Sequence, residues 1–303
     1  RNLLGGAERL RLEAAIEGIA ARVGGLGFAV DARYTRPATF NSDTDMELGL
    51  SAARVDERDF GADAAEAEIR FLRRYSDRLS GHAALVLRFE RARFGEDRDL
   101  RGNFGTVALP VGLTWDTRDE TMDATRGLYL MGEVMPFAGF REAEHGARLR
   151  LDARAYADMG SEGRFVLAGR VQAGAILGSA LAATPRDYLF YSGGGGTVRG
   201  LPFQSLGVTQ GGVASGGQGF AAVSAEFRAR VTERFGMAVF ADAGYVSEGA
   251  FSGASDWQAG AGVGVRYQTP IGPMRLDVAT PVRRNASATG GRFQIYLGVG
   301  QAF

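Results

Sequence analysis

The sequence predicts an all-β fold, an antiparallel transmembrane β-barrel of about fourteen strands with one long Gly-rich loop. Three observations carry this. Hydrophobicity alternates with period two along most of the 303 residues, so each segment has one apolar and one polar face. Many alternating segments reach ten residues or more. Ordinary globular strands average about five or six residues, whereas a tilted bilayer-crossing strand needs ~9–11. Glycine supplies 45 of the 303 residues, about twice its usual ~7 % share. No stretch approaches the ~18 consecutive apolar residues of a membrane-spanning helix.

The strands are expected, in order, over about 6–20, 24–37, 44–56, 62–76, 79–93, 102–116, 126–139, 145–158, 163–177, 218–231, 234–246, 255–268, 271–281 and 291–303. In the first, Leu10, Leu12, Ala14 and Ile16 oppose Arg11, Glu13, Ala15 and Glu17. In the fifth, Ala83, Leu85, Leu87 and Phe89 oppose Ala84, Val86, Arg88 and Glu90. In the eighth, Ala147, Leu149, Leu151, Ala153 and Ala155 oppose Arg148, Arg150, Asp152, Arg154 and Tyr156. In the last, Phe293, Ile295, Leu297 and Val299 alternate with Gln294, Tyr296, Gly298 and Gly300. The polar faces carry charges of both signs, as a wet lumen requires, and the connections read as alternately short and long. A large soluble β protein is the competing architecture, but its long sheets would leave edges to protect that a closed barrel lacks.

The composition excludes several classes of function. The 35 basic and 35 acidic residues balance, so no general field attracts a polyanion, and every basic residue is Arg. There is no Cys, hence no disulfide framework, thiolate metal site or Cys nucleophile. His82 and His145 are too few for a His-rich metal site, and no nucleophile motif accompanies either, so both read as surface or interfacial histidines in a protein that is not an enzyme. Gly193–Gly196 lacks the strand-to-helix turn and Lys of a phosphate-binding loop. Asp116, Arg118 and Asp119 lack the spacing and bidentate Glu of a Ca²⁺ loop and read as a solvated turn. Neither cofactor nor metal is expected. Trp115, Phe137, Tyr188, Tyr191, Trp257 and Phe303 fall near strand ends, which suits interfacial girdles and equally suits plain strand propensity.

The segment 178–217 interrupts the pattern for about 40 residues, well beyond the ~12–15 of an ordinary loop. Its centre reads Tyr191-Ser192-Gly193-Gly194-Gly195-Gly196-Thr197-Val198-Arg199-Gly200-Leu201-Pro202-Phe203. Four glycines before Thr-Val-Arg-Gly resemble the loop of the outer-membrane assembly barrels of BamA and TamA type, the bacterial surface antigen superfamily, whose hallmark is Val/Ile-Arg-Gly-Tyr/Phe. The run Leu109–Asp119, Glu226-Phe227-Arg228, Phe240-Ala241-Asp242-Ala243-Gly244, Thr269–Ala279 and the ending Gly298–Phe303 resemble further family segments in the same order. The last two look most like TamA. Leu201 stands where the family has an aromatic, which leaves Phe203 to supply it, and Ala124 stands where Pro is usual.

The resemblance implies a sixteen-stranded barrel with the long Gly-rich loop folded into its lumen; the first strand here matches the barrel's third, with two strands and the periplasmic POTRA domains lying before Arg1. It implies a protein that helps insert or fold β-barrel or autotransporter clients in the bacterial outer membrane. The implied partners are those unfolded clients, the bilayer with its lipopolysaccharide, and an inner-membrane-anchored partner of TamB type. A two-partner secretion transporter or a passive pore is the alternative. Val198, Arg199, Gly200, Leu201, Glu226 and Asp242 are the implied loop and lumen residues, and Gly298, Gly300 and Phe303 mark the strand at the seam. Gly298 and Gly300 either weaken and kink that strand or pack against another backbone in the lumen. Strand parity turns Glu226, Arg228 and Asp242 inward. A turn over 232–236 would pair Val231 with Met237 and set Glu226 directly opposite Asp242, so a cation is wanted between them. The resemblance points to Arg199 for that role, and Arg228 is the competitor on the strand itself.

Overall fold

The computed structural model describes residues 7–17, 27–56, 60–94, 100–160, 163–210, 213–283 and 291–303. The strands are β1 (Arg9–Glu17), β2 (Gly27–Arg36), β3 (Thr44–Asp56), β4 (Phe60–Arg74), β5 (Leu79–Phe94), β6 (Leu100–Ala108), β7 (Val111–Asp116), β8 (Gly127–Arg141), β9 (Gly146–Asp158), β10 (Phe165–Leu177), β11 (Val208–Gln210), β12 (Val213–Ser215), β13 (Gly219–Arg230), β14 (Phe235–Gly249), β15 (Ser252–Thr269), β16 (Gly272–Arg283) and β17 (Gln294–Val299). All except the small β11–β12 hairpin join one fifteen-stranded antiparallel sheet in chain order. β6 and β7 lie end to end between β5 and β8. Their register on β8 is continuous, Ala108 opposite Phe137 and Val111 opposite Val134. They are therefore two halves of one crossing, interrupted where Pro110 has no N–H to give the ladder. Counting them once, the sheet makes fourteen crossings.

Each expected strand is present; residues 6, 18–20 and 24–26 of the first two lie outside the described residues, and the ends of most others differ by a few residues. The main difference is the last, which is regular only over Gln294–Val299 because the chain turns inward at Gly300, φ +84°. Among the described residues no ladder pairs β17 with β1. The connections do not alternate in length. Residues 117–126 connect β7 to β8 and 142–145 connect β8 to β9, whereas β14 and β15 are separated only by Ala250 and Phe251.

The sheet carries its apolar residues on the outside. Val223, Phe227, Met237, Val239, Leu276 and Leu297 are exposed, while their strand neighbours Ser224, Glu226, Arg228, Asp242 and Asp277 are buried. A water-soluble protein has the opposite arrangement, and a barrel wall in lipid requires this one. The interior is less polar than the sequence suggests. Tyr188, Phe190 and Leu206 of the long loop pack on Phe137, Ile176, Phe220 and Val246 of the wall. The rings of Phe190 and Phe220 stack at 5.6 Å, and Phe137 meets Tyr188 edge to face at 5.2 Å. Of the six aromatics considered for a girdle, Trp115 and Trp257 are exposed on the outer face. Phe137, Tyr188 and Phe303 are buried inside, and Tyr191 packs against the interior core.

Candidate functional site

The loop after β10 enters the barrel and stays there. Two single-turn 3-10 helices, Leu181–Ala183 and Arg186–Tyr188, begin it. The Tyr188 hydroxyl pairs with Thr106 at 2.8 Å, and Arg148 donates to the Tyr188 carbonyl. Asp187 forms an ion pair with Arg88 of β5. The chain then runs across to the opposite wall, where Gly193 (φ +101°) and Gly200 (φ +96°) hold a backbone conformation that a side chain disfavours. Arg170 steadies this stretch by donating to the Gly196 carbonyl at 3.0 Å.

Arg199 is 2 % exposed and lies between Asp242 and Glu226. Its backbone N–H and Nε both donate to Asp242 Oδ2, at 3.0 and 2.8 Å, and Nη2 donates to Oδ1 at 3.0 Å. Nη1 donates to Glu226 Oε2 at 2.5 Å. The guanidinium lies 3.5 Å from the centre of the Phe240 ring, a cation-π contact. Both oxygens of Asp242 are engaged by one planar fork, a geometry that Lys could not reproduce.

The register that brings these groups together differs from the expected one. Ala229, not Val231, faces Met237, so Glu226 stands opposite Phe240 and Asp242 opposite Ser224. The turn closes two residues tighter, with Val231 donating to Phe235. The carboxylates are therefore diagonal neighbours, which separates them and places the Phe240 ring beneath Arg199. Arg228 is also a partner, since its Nε donates to Glu226 Oε1 at 2.8 Å. Both candidate cations serve Glu226, one at each oxygen.

Sequence reasoning missed the other members. Asp277 of β16 is fully buried and lies 3.6 Å from Arg199 Nη1. Arg266 of β15 forms ion pairs with both Asp277 and Glu226. Parity could have found Asp277, because Met274, Leu276 and Val278 point outward. A second missed feature is the glycine row of β15. A Cβ at Gly260 would lie 1.9 Å from the Arg199 carbonyl, at Gly262 2.5 Å from the Phe240 ring, and at Gly264 2.0 Å from Asp277. The run Gly-Ala-Gly-Val-Gly at 260–264 makes a floor on which the loop can lie flush with the wall.

The remaining loop residues sort clearly. Val198 is buried against the Gly244 backbone, and Leu201 is 1 % exposed. Leu201 itself fills the place expected of an aromatic; Phe203 is 79 % exposed and does not substitute for it. Of the seam residues, Gly300 makes the inward bend. Gly298 stays in regular β17 opposite Arg275, where a Cβ would approach Arg275 Nε to 3.0 Å, so it packs on a side chain and not on another backbone. Phe303 reaches back across the lumen to Tyr156 and Ala168, beside Ala124. Outside this cluster, His82 is an inward-facing residue paired with Glu133 at 3.0 Å, while His145 is exposed.

The comparisons with known proteins agree with this architecture. The Omp85 superfamily domain matches residues 2–303. The fold is similar to that of BamA from Haemophilus ducreyi lacking POTRA domains 1–3, with a TM-score of 0.78 at 16 % identity over 97 % of this chain. It is also similar to CdiB from Escherichia coli (TM-score 0.63, 12 % identity, 98 % of this chain) and CdiB from Acinetobacter baumannii (0.53, 11 %, 95 %). This chain spans 64, 56 and 59 % of those three chains respectively. A match over essentially every residue, on a barrel whose loop carries Val-Arg-Gly into an acidic cradle, places this chain in the Omp85 superfamily.

Proposed function

We propose that this chain is the barrel of a TamA-like assembly factor of the bacterial outer membrane, which helps insert or fold β-barrel or autotransporter clients at a weak seam. The observation that supports this reading is the end of the sheet. β16 runs twelve residues, but β17 pairs with it through only six, Met274–Ala279 against Gln294–Val299. The Gly300 N–H still donates to the Pro273 carbonyl of β16, and beyond it the chain leaves the sheet. Short pairing in lipid exposes N–H and C=O groups that an incoming client strand can satisfy by β-augmentation. No active site is needed, because the edge itself is the template.

The loop does not separate this reading from a secretion pore; the resemblance of Thr269–Ala279 to TamA is what leans toward assembly. The test exploits the absence of native Cys. Cysteines placed in the first strand of the complete barrel and near Gly298–Gln301 would lock the seam in proteoliposomes. Client insertion should stop on oxidation and return on reduction, whereas full insertion through the locked barrel would reject the reading. A large steady conductance in planar bilayers would favour transport instead.

A further inference from the structure

The acidic cradle holds one arginine that is not hydrogen-bonded to its acids. Three carboxylates, Glu226, Asp242 and Asp277, face four guanidinium groups, those of Arg199, Arg228, Arg266 and Arg275. Arg199, Arg228 and Arg266 all donate hydrogen bonds to these acids. Arg275 does not. Its Nε and Nη1 are buried without a hydrogen-bond partner. It stands directly opposite Arg266 across the β15–β16 ladder, a like-charge pairing that costs stability.

The acid nearest Arg275 has a matching vacancy. Asp277 Oδ2 is buried and accepts no hydrogen bond. Arg199 Nη1 lies 3.6 Å from it on one side, and Arg275 Nη1 lies 4.0 Å from it on the other. Neither is within bonding distance, so the oxygen is contested. Gly298, opposite Arg275 on β17, leaves the space in which that side chain can shift.

We propose that Arg275 competes with Arg199 for the acidic cradle, so that the loop has two states: docked, with Arg275 orphaned, and released, with Arg275 paired to Asp277. The geometry supports this: Asp277 Oδ2 lies between the two guanidinium groups and bonds to neither. An arginine that only buttressed the docked loop would be expected to hydrogen-bond in it. The exchange gives Asp277 a cation as the loop leaves, and it ties loop release to a side chain packed on the last strand. It stands whichever client the barrel serves.

The test is hydrogen exchange at Val198–Leu201 in the full chain in nanodiscs, with a double-mutant cycle. Arg275→Met keeps the bulk and removes the competitor. It should slow exchange of the loop amides by about tenfold, within the range of couplings measured between contacting residues. Arg199→Gln should speed exchange, and in that background Arg275→Met should change it little, because with Arg199 gone Arg275 has no rival for Asp277 in either loop state. Faster or unchanged loop exchange in Arg275→Met, or strict additivity, would overturn the proposal. Arg275→Gln is the second variant if the first does not fold. Failure of both to fold would also overturn it, because an orphaned competitor is dispensable to the docked fold.

Discussion

The Tyr296 hydroxyl accepts the Gly200 N–H at 3.0 Å and donates to the Leu201 carbonyl at 3.1 Å. Tyr296 belongs to the last strand, and Gly200 follows the arginine that anchors the loop. One side chain thus joins the two parts of the barrel with the least regular backbone. Removing the hydroxyl in Tyr296→Phe should cost about 1–3 kcal/mol locally, the cost of leaving buried polar groups unpaired. Exchange at Gly200 and along Gln294–Val299 should accelerate together while the rest of the sheet is unchanged. If only one of the two segments responds, the hydroxyl does not couple them.

Arg199→Ala should be far more disruptive to the loop than Arg228→Ala. Among the described residues, Asp242 takes its hydrogen bonds from Arg199 alone, and after truncation only the backbone N–H of residue 199 remains. Glu226 loses less when Arg228 goes, because Arg199 and Arg266 stay. Breaking a buried pair costs about 3–5 kcal/mol. Limited proteolysis of residues 193–203 should therefore rise sharply in the first variant and little in the second. Equal susceptibility would contradict the assignment.

The floor under the loop predicts a steric contrast. Gly260→Ala places a methyl group against the Arg199 carbonyl, a backbone atom that can yield only if the loop lifts. Gly196→Ala meets nothing within 4 Å. The first should expose the loop to protease and the second should match the parent. A docked loop in Gly260→Ala, seen by the same digestion, would refute the close approach.

The chain end is held by a network that shares Arg266 with the acidic cradle around Arg199. Gln301 donates to Asp123 at 2.8 Å and accepts from Arg266 Nε at 2.8 Å, and its backbone N–H donates to Met122. Asp123→Ala should free residues 300–303 from the lumen and withdraw Phe303 from Tyr156. A spin label at residue 302 would report this as a gain in mobility, and unchanged spectra would show that the Phe303 contact alone suffices.

The turn bearing Met122 and Asp123 should depend on pH. Burial by itself would raise the Asp119 carboxyl, but hydrogen bonds from the Thr125 hydroxyl and from the Thr125 and Arg126 N–H groups outweigh it and hold it below the usual carboxylate range. A lowered value means the stabilisation is present above the unfolded pKa of about 4 and is lost as pH falls through the folded one. NMR shifts of the Thr125 and Arg126 amides should stay constant from neutrality to about pH 4 and move only below it. A transition above that range would contradict the capping role.

Strand number, order and facing were legible because a period of two is a local property: Val223 and Phe227 must leave the face that Glu226 and Arg228 occupy. The same parity turns Asp242 and Asp277 inward without reference to any other strand. The Val-Arg-Gly loop was legible from its residues, and only through resemblance could it be linked to acids on β13 and β14.

Tertiary structure decided what parity leaves open. Shifting β13 against β14 by two residues keeps every side chain on its own face, so alternation is blind to whether Glu226 meets Asp242 or Phe240. The tight turn after Val231 made that choice. Which wall the loop reaches, that Leu201 and not Phe203 goes inside, and that Arg275 is left without a partner all follow from sites distant in sequence. The interior can hold only as much charge as it can pair, and that count is completed only when the loop, β13, β14, β15 and β16 are brought together.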